Sequence, residues 1–220
     1  MDRVRLLERR DIDELILLDI AATPEGHGPR FDEIEQLCDQ LFCPVTVGGG
    51  IRNINDIRRL LQCGADKVSI NAAVINNPEF INEAAQKFGS QAVVVSIDVE
   101  RPDTLRLDGG CHISFARGSM DNSTAWAVEA EARGAGEILL TSVAHEGMMD
   151  GYDLDLIREV SDAVSIPVIA NGGCGSYEHM RQAIEAGAHA VAVGAAFQFK
   201  DMTPKGAARY LCEHGVAVRL

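Results

Sequence analysis

Two glycine-rich segments have the composition of loops that bind anions. One reads VGGGI at residues 47–51, and the other reads ANGGCG at residues 170–175. Each ends an apolar run and precedes a helical pattern, where glycine lets an anion approach free backbone N–H groups. About twenty residues further on, each is followed by another apolar run that ends in small residues, at 69–72 and 193–195. Two such pairs favour a ligand with two phosphates, and tight-turn glycines without a ligand are the alternative.

Three carboxylates lie at or just beyond the ends of apolar runs. Asp98 follows VVVSI, Asp19 falls within ELILLDI, and Glu146 lies in the loop after EILLTSV. If the runs are parallel strands of a barrel, these carboxylates lie on the face where barrel enzymes hold acid–base groups. A solvated strand-end carboxylate is the alternative for each. The long segment 99–120 is predicted to be a mobile flap over that face, or a short hairpin.

Charged residues also stand at the starts of three apolar runs, namely Glu14, Lys67 and Glu137. Charges at strand starts are most often solvated residues of the bottom face of a barrel. The alternative is a polar ring at the base of the barrel.

The elements that must position these residues follow from the hydropathy pattern. Seven short runs that are apolar on both faces are typical of parallel strands covered by helices. They lie at residues 14–20, 43–49, 66–71, 91–98, 137–143, 166–172 and 189–195. Helical patterns lie at residues 54–62, 78–87, 123–133, 155–164, 177–186 and 204–214. This alternation predicts an α/β fold.

An internal repeat specifies the fold further. An ungapped shift by 123 residues gives 17 identities in the 60 positions from 14 to 73, including Gly49 on Gly172 and Gly64 on Gly187. Two duplicated halves of four β-α units predict a (β/α)8 barrel, a TIM barrel built from two half-barrel repeats in one domain over residues 1–220. An open doubly wound sheet is the alternative.

The 123-residue shift also predicts which element the chain begins with. The strand at 91–98 opens the second half, and its counterpart would lie before Met1. We therefore expect the chain to open inside the first helix, with the first strand absent and seven strands retained.

Composition excludes several classes of protein. The formal net charge is −13 and aromatic residues make up 5% of the chain, which argues against nucleic-acid and anionic-membrane surfaces. The N-terminal segment lacks the apolar stretch of a signal peptide, and no apolar run is long enough to span a membrane. The six cysteines form no C-x-x-C pair, so a zinc site is not predicted. A cytoplasmic protein is expected.

Several motifs together resemble the cyclase subunit of imidazole glycerol phosphate synthase, the HisF family. They are DELILLDI, VGGGI, GADKVSIN, FGSQAVVVSID, RGAGEILLTS, GYD and YLCEHGVAVRL, and they extend over essentially the whole chain. The resemblance implies a lyase of histidine biosynthesis that forms a heterodimer with a glutaminase partner. Ammonia from the glutaminase would pass through the barrel to a bisphosphorylated ribulosyl-aminoimidazole substrate. The products would be imidazole glycerol phosphate and an aminoimidazole carboxamide ribotide, and no metal or organic cofactor is expected.

The resemblance also assigns site residues, with departures from the family pattern. Asp98 matches one of two catalytic aspartates; the other, on the first strand, and a flap lysine have no counterpart here. Gly50 and Asn71 match one phosphate site, where Ala72 replaces a hydroxyl residue. The residues that match the other phosphate site and its adjoining loop are Gly173, Gly194, Ala195 (in place of a serine), Glu146 (in place of an aspartate) and Gly147. Met148 replaces a hydroxyl residue of that loop.

At the opposite strand ends, Glu14, Lys67 and Glu137 match the charged gate at the ammonia entrance, whose arginine would lie on the absent strand. Asp66 matches a residue that faces the glutaminase. Such departures suit a paralogue that acts in ammonia-dependent amidation of surface sugars, to which the segments at 22–26, 176–180 and 197–211 are somewhat closer. A catalytically inactive, truncated binding scaffold is the third hypothesis.

Overall fold

The computed structural model of the protein describes residues 11–100 and 120–219. The chain divides into two compact units. The first holds the described residues up to Val95 together with Arg133–Gly136, and the second holds Ser96–Ala132 and the chain from Glu137 onward. No helix in the described part is long and apolar enough to cross a membrane. The expectation of one domain over 1–220 stays a prediction.

The first unit is a parallel β-α arrangement in which strand order follows chain order. Leu15 pairs with Val45, Thr46 with Lys67, and Val68 with Val93 in successive parallel ladders. The strands are β1 (Leu15–Leu18), β2 (Val45–Gly48), β3 (Lys67–Ile70) and the first part of β4 (Val93–Val99). The helices are α1 (Ala22–Glu25), α2 (Phe31–Cys38), α3 (Ile54–Gln62), α4 (Ala72–Asn76) and α5 (Glu79–Phe88). Strand β2 is buried along its whole length, as strands covered on both faces are.

The second unit repeats this plan. Its strands are the end of β4, then β5 (Glu137–Ser142), β6 (Val168–Asn171) and β7 (Ala190–Val191), of which β5, β6 and β7 pair in parallel in that order. Its helices are α6 (Met120–Ala132), α7 (Leu154–Ser161), α8 (Tyr177–Glu185), α9 (Ala195–Phe199) and α10 (Pro204–Glu213). The apolar core of this unit includes Ala170 of β6, Met180 of α8 and Leu211 of α10.

The α/β prediction is confirmed, because the described residues contain seven strands in chain order that alternate with helices, as in the TIM-barrel class of folds. Most strands are shorter than the apolar runs that predicted them, and the last strand differs most. Only Ala190–Val191 of the run 189–195 is a strand, because Ala195 already begins α9. The helix α2 and the short helices α1, α4 and α9 were not predicted. The predicted flap at 99–120 lies almost wholly outside the described residues, and the expectation about the chain start falls on residues 1–10, which also lie outside them.

The 123-residue repeat is present in local geometry as well as in sequence. Helix α8 lies 123 residues after α3, and both have a polar N-cap that accepts backbone N–H bonds, Asn53 in one and Ser176 in the other. Gly64 has a φ of +98°, and a Cβ added there would lie 2.9 Å from the Cβ of Cys38. Gly187 has a φ of +111°, and its added Cβ would lie 2.9 Å from the Cβ of Ser161. Asn53 and Ser176 are related by the 123-residue shift, and so are Gly64 and Gly187.

Candidate functional site

The second unit contains a concave site with about 220 Å³ of open space. It is lined by the loops that follow β5, β6 and β7, with Glu146, Gly147, Asn171, Gly172, Gly173, Cys174, Ala192, Gly194 and Ala195 on its walls. All five residues predicted for this phosphate site and its adjoining loop are therefore brought together. Their binding role stays a prediction. Asn171, Cys174 and Ala192 were not assigned from the sequence.

Two glycines of this site are required by the backbone itself. Gly172 and Gly173 have φ values of +92° and +102°, which side-chain-bearing residues rarely adopt. A Cβ on Gly172 would lie 2.5 Å from the carbonyl oxygen of Ser142, and one on Gly173 would overlap the carbonyl oxygen of Gly151. Packing alone therefore explains glycine at these positions, so their presence does not distinguish a turn from a ligand site.

Gly194 differs from those glycines. Its φ is −106°, and a Cβ added there would meet nothing within 4 Å. Neither backbone strain nor packing requires glycine at this position, although the residue lines the concave site. The absence of a side chain at Gly194 keeps the site open to an incoming group.

The loop after β6 presents backbone donors to the site. The carbonyl of Gly173 accepts a 2.8 Å hydrogen bond from the N–H of Gly151, and the N–H of Gly175 donates to Nδ1 of His179 at 3.2 Å. Within the described part of the chain, the N–H groups of Gly173 and Cys174 donate to no protein acceptor. Adjacent free N–H groups of this kind are suited to an anion.

The first unit has a matching arrangement at the ends of β2 and β3. Gly50 has a φ of +70°, and its added Cβ would lie 2.8 Å from the carbonyl oxygen of His27. Asn71 directly follows the neighbouring strand β3 and is the N-cap residue of α4. These two residues were predicted to form the first phosphate site, and they lie at the carboxyl ends of paired strands.

Asp19, a candidate acid–base residue, is engaged in structural contacts. Its Oδ1 accepts a hydrogen bond from the N–H of Ala21 at 3.1 Å, and its Oδ2 lies 3.3 Å from Nε of Arg30. These contacts hold the turn between β1 and α1. They favour the structural interpretation of Asp19 over the catalytic one.

Asp98 and Glu146 are electrostatically coupled within the second unit. Asp98 lies near the end of β4, half-buried, and its Oδ1 accepts a 3.2 Å hydrogen bond from the hydroxyl of Ser96. The side chain of Glu146 remains open to solvent, yet partial desolvation raises its pKa, and the negative charge of Asp98 raises the pKa further. Glu146 therefore holds its proton to a higher pH than an ordinary glutamate does. Spacing along the chain did not predict this pairing.

Comparison with known proteins places the chain in a family. The family described as "Histidine biosynthesis protein" matches residues 1–203. The chain belongs to this family. It is 46% identical over 213 residues to "Imidazole glycerol phosphate synthase subunit HisF" of Clostridium botulinum (strain Okra / Type B1), a match that covers 94% of the chain and 83% of that protein.

At the opposite strand ends, this histidine biosynthesis family member places Lys67 beside Glu14, with Nζ and Oε2 3.1 Å apart. Asp66 is exposed, and its Oδ2 accepts a 2.8 Å hydrogen bond from the N–H of Val45 at the start of β2. Glu137 begins β5 in the second unit. Asp66 thus has a structural role that the sequence did not show, and the gate and docking roles stay predictions.

Phe42 is a surface residue to which no sequence pattern assigned a role. It lies just before β2, on the same strand-start side of the first unit as Asp66, and 96% of it is exposed. Exposure to this extent leaves most of the Phe42 side chain on the surface of the unit.

The substitution Glu146→Gln tests the state of this carboxyl in the family member. Because its folded-state pKa is raised, ionisation of Glu146 opposes folding above that pKa, and the opposition is absent below the pKa of the unfolded state. We expect the variant to be more stable than the wild type near neutral pH, by about 0.5 kcal/mol since solvent screens an exposed carboxyl. The difference should shrink as the pH falls through the folded-state pKa of Glu146 and vanish below the pKa of the unfolded state.

Urea unfolding at a series of pH values measures this difference, with Glu213→Gln at the exposed end of α10 as the control. The gain should shrink when Asp98 is also changed to Asn, because part of the pKa shift comes from the charge of Asp98. An equal gain in both backgrounds would contradict the coupling.

Proposed function

We propose that this chain is the cyclase subunit of an imidazole glycerol phosphate synthase. With ammonia from a glutaminase, it would convert the bisphosphorylated ribulosyl-aminoimidazole substrate to imidazole glycerol phosphate and an aminoimidazole carboxamide ribotide. The observation that carries the proposal is the concave site of the second unit, where free N–H groups and an open Gly194 adjoin Glu146. The 46% identity to a protein named as a HisF subunit supports it.

One phosphate of the substrate would bind at the loop after β6. The N–H groups of Gly173 and Cys174 would donate to phosphate oxygens, and Gly194 and Ala195 would leave room for the group. Gly50 and Asn71 would hold the other phosphate in the first unit, where the strand-end geometry is repeated. Backbone donors suit this task in a chain of net charge −13, because they attract an anion locally against an unfavourable overall field.

Proton transfer would fall to the two coupled carboxyls. Addition of ammonia and ring closure require a proton to leave nitrogen and another to reach a departing group. Asp98 would accept and return protons as the carboxylate. Glu146 would hold its proton to a higher pH than an ordinary glutamate and would donate it to the departing group.

Replacement of Asp98 tests the chemical step. In an ammonium-driven cyclisation assay, Asp98→Asn should lower kcat by about 10²–10⁴-fold, because an amide cannot accept or return the proton. KM should change by less than about threefold, since the phosphate contacts remain. The matched control Asp155→Asn removes a carboxylate from the exposed first turn of α7 and should leave both constants unchanged. A kcat within about threefold of the wild type would refute the assignment.

Replacement of Gly194 tests phosphate binding without disturbing the backbone. Substitution of Gly50 or Gly173 would disturb the backbone as well, because both have a positive φ. Gly194→Ala, Gly194→Val and Gly194→Leu place progressively larger groups in the site. KM should rise with side-chain volume, reaching about tenfold or more for Val, because the added atoms occupy the space of the phosphate. The thermal unfolding midpoint should stay constant along the series. An unchanged KM would show that the anion does not bind here.

The glutaminase would dock at the strand-start ends. Glu14, Lys67 and Glu137 would form the ammonia gate, and Asp66 would face the partner. Exposed Phe42 supports a protein contact on this side of the first unit, since buried aromatic side chains contribute strongly to interfaces.

Phe42→Ser tests this docking surface. The variant should lose about tenfold or more in affinity for the glutaminase and a matching part of its glutamine-dependent activity, because a central aromatic contact is removed. Activity with added ammonium should be retained. Val128→Ser, which removes an exposed apolar side chain from α6, is the control. Equal loss of both activities in Phe42→Ser would mean that the residue does not act through docking.

A further inference from the structure

Lys200 reaches from the end of α9 to the glycine-rich loop after β6. Its Nζ donates a 2.7 Å hydrogen bond to the carbonyl oxygen of Gly175. The backbone of Lys200 is itself fixed, because its N–H donates to the carbonyl of Ala196 at 3.1 Å. The side chain therefore joins the segment after β7 to the loop after β6. No sequence pattern assigned Lys200 to a site.

The loop that Lys200 holds is fixed through groups that do not face an anion. Gly151 donates to the carbonyl of Gly173, His179 accepts from the N–H of Gly175, and Lys200 donates to the carbonyl of Gly175. These three bonds lie on either side of the N–H groups of Gly173 and Cys174. Lys200 thus restrains the loop without using either of these donors.

The charge of Lys200 also bears on the site. Among the nine lining residues none is Lys or Arg, and Glu146 contributes a carboxyl. His145 is next to Glu146 in the sequence, but its Nδ1 lies 2.9 Å from the carboxylate of Asp150. Burial raises the pKa of the Cys174 thiol, and the ammonium group of Lys200 acts against that rise. The positive charge of Lys200 therefore acts on Cys174, which lines the site.

The first unit supports this interpretation by a different route. The position equivalent to Gly175 under the 123-residue shift is Arg52. Its Nη2 donates a 3.2 Å hydrogen bond to the carbonyl of His27, the same oxygen that a Cβ on Gly50 would approach. Each glycine-rich strand end thus has a cation bound to a backbone carbonyl next to it, although the two cations come from different elements.

We propose that Lys200 is a positioning residue for the phosphate group that binds at the loop after β6. It holds the carbonyl of Gly175 so that the N–H groups of Gly173 and Cys174 face the phosphate, and its positive charge favours an anion at this loop. The inference rests on the proposed function for the identity of the substrate, but it requires only that a phosphate binds at this loop.

The test compares Lys200→Gln with Lys200→Arg and with Lys87→Gln, which removes a lysine of an exposed pair with Glu83 on α5. In ammonium-driven cyclisation, Lys200→Gln should raise KM about tenfold with kcat little changed, as expected for a lost bond to a charged group. Lys200→Arg should return KM to within about threefold of the wild type, because it keeps the charge and a donor. Lys87→Gln should match the wild type. Thermal unfolding of each variant checks that the fold is intact.

Titration with inorganic phosphate, followed by ³¹P NMR, separates this inference from the proposed function. If the wild type does not cyclise the substrate but binds phosphate, and Lys200→Gln weakens that binding, the inference stands and the proposed function fails. If the wild type turns over and Lys200→Gln keeps the wild-type KM and phosphate affinity, the inference is overturned. It is also overturned if the wild type binds no phosphate, or if Lys200→Arg is as impaired as Lys200→Gln.

Discussion

Close approach of backbones at strand-end glycines is the constraint on which both units depend. A Cβ on Gly49 would overlap the carbonyl oxygen of Asp19, and one on Gly172 would lie 2.5 Å from that of Ser142. Residues 19 and 142, like 49 and 172, are related by the 123-residue shift. Because no side chain separates adjacent loops at these points, the loops touch through their main chains. The backbone N–H groups that follow are the donors that the proposed phosphate sites would use.

The duplicated backbone carries different side chains in the two units. In the first, Arg52 is bonded beside the glycine-rich strand end, and Asp19 is bound to Arg30. In the second unit, Lys200 directly follows α9 and is bonded to the carbonyl of Gly175, and Glu146 lines the site. Cations from different elements thus bond backbone carbonyls beside equivalent loops, which under the proposed function would both hold phosphate. Local charge matters here because the net charge of −13 opposes anion binding at long range.

Some residues of the proposed functional surfaces also hold the fold together. Asp66 accepts the N–H of Val45 at 2.8 Å, and its counterpart His189 accepts the N–H of Val168 at 3.4 Å. Both side chains fix the start of a strand at the end where the partner would dock. A change of charge at Asp66 therefore alters the strand start as well as the surface.

The sequence by itself determined the seven strands, the parallel α/β plan and the grouping of Glu146, Gly173 and Gly194, because consecutive parallel strands bring their carboxyl ends to one edge. It did not reveal α2, which has no buried residue, although its repeat counterpart α7 was predicted from the apolar residues that it buries. Only the tertiary structure decided which glycines the backbone requires, that Asp98 raises the pKa of Glu146, and that Lys200 reaches Gly175. Each of these depends on distances between residues far apart in the chain, and hydropathy and spacing along the sequence do not contain such distances.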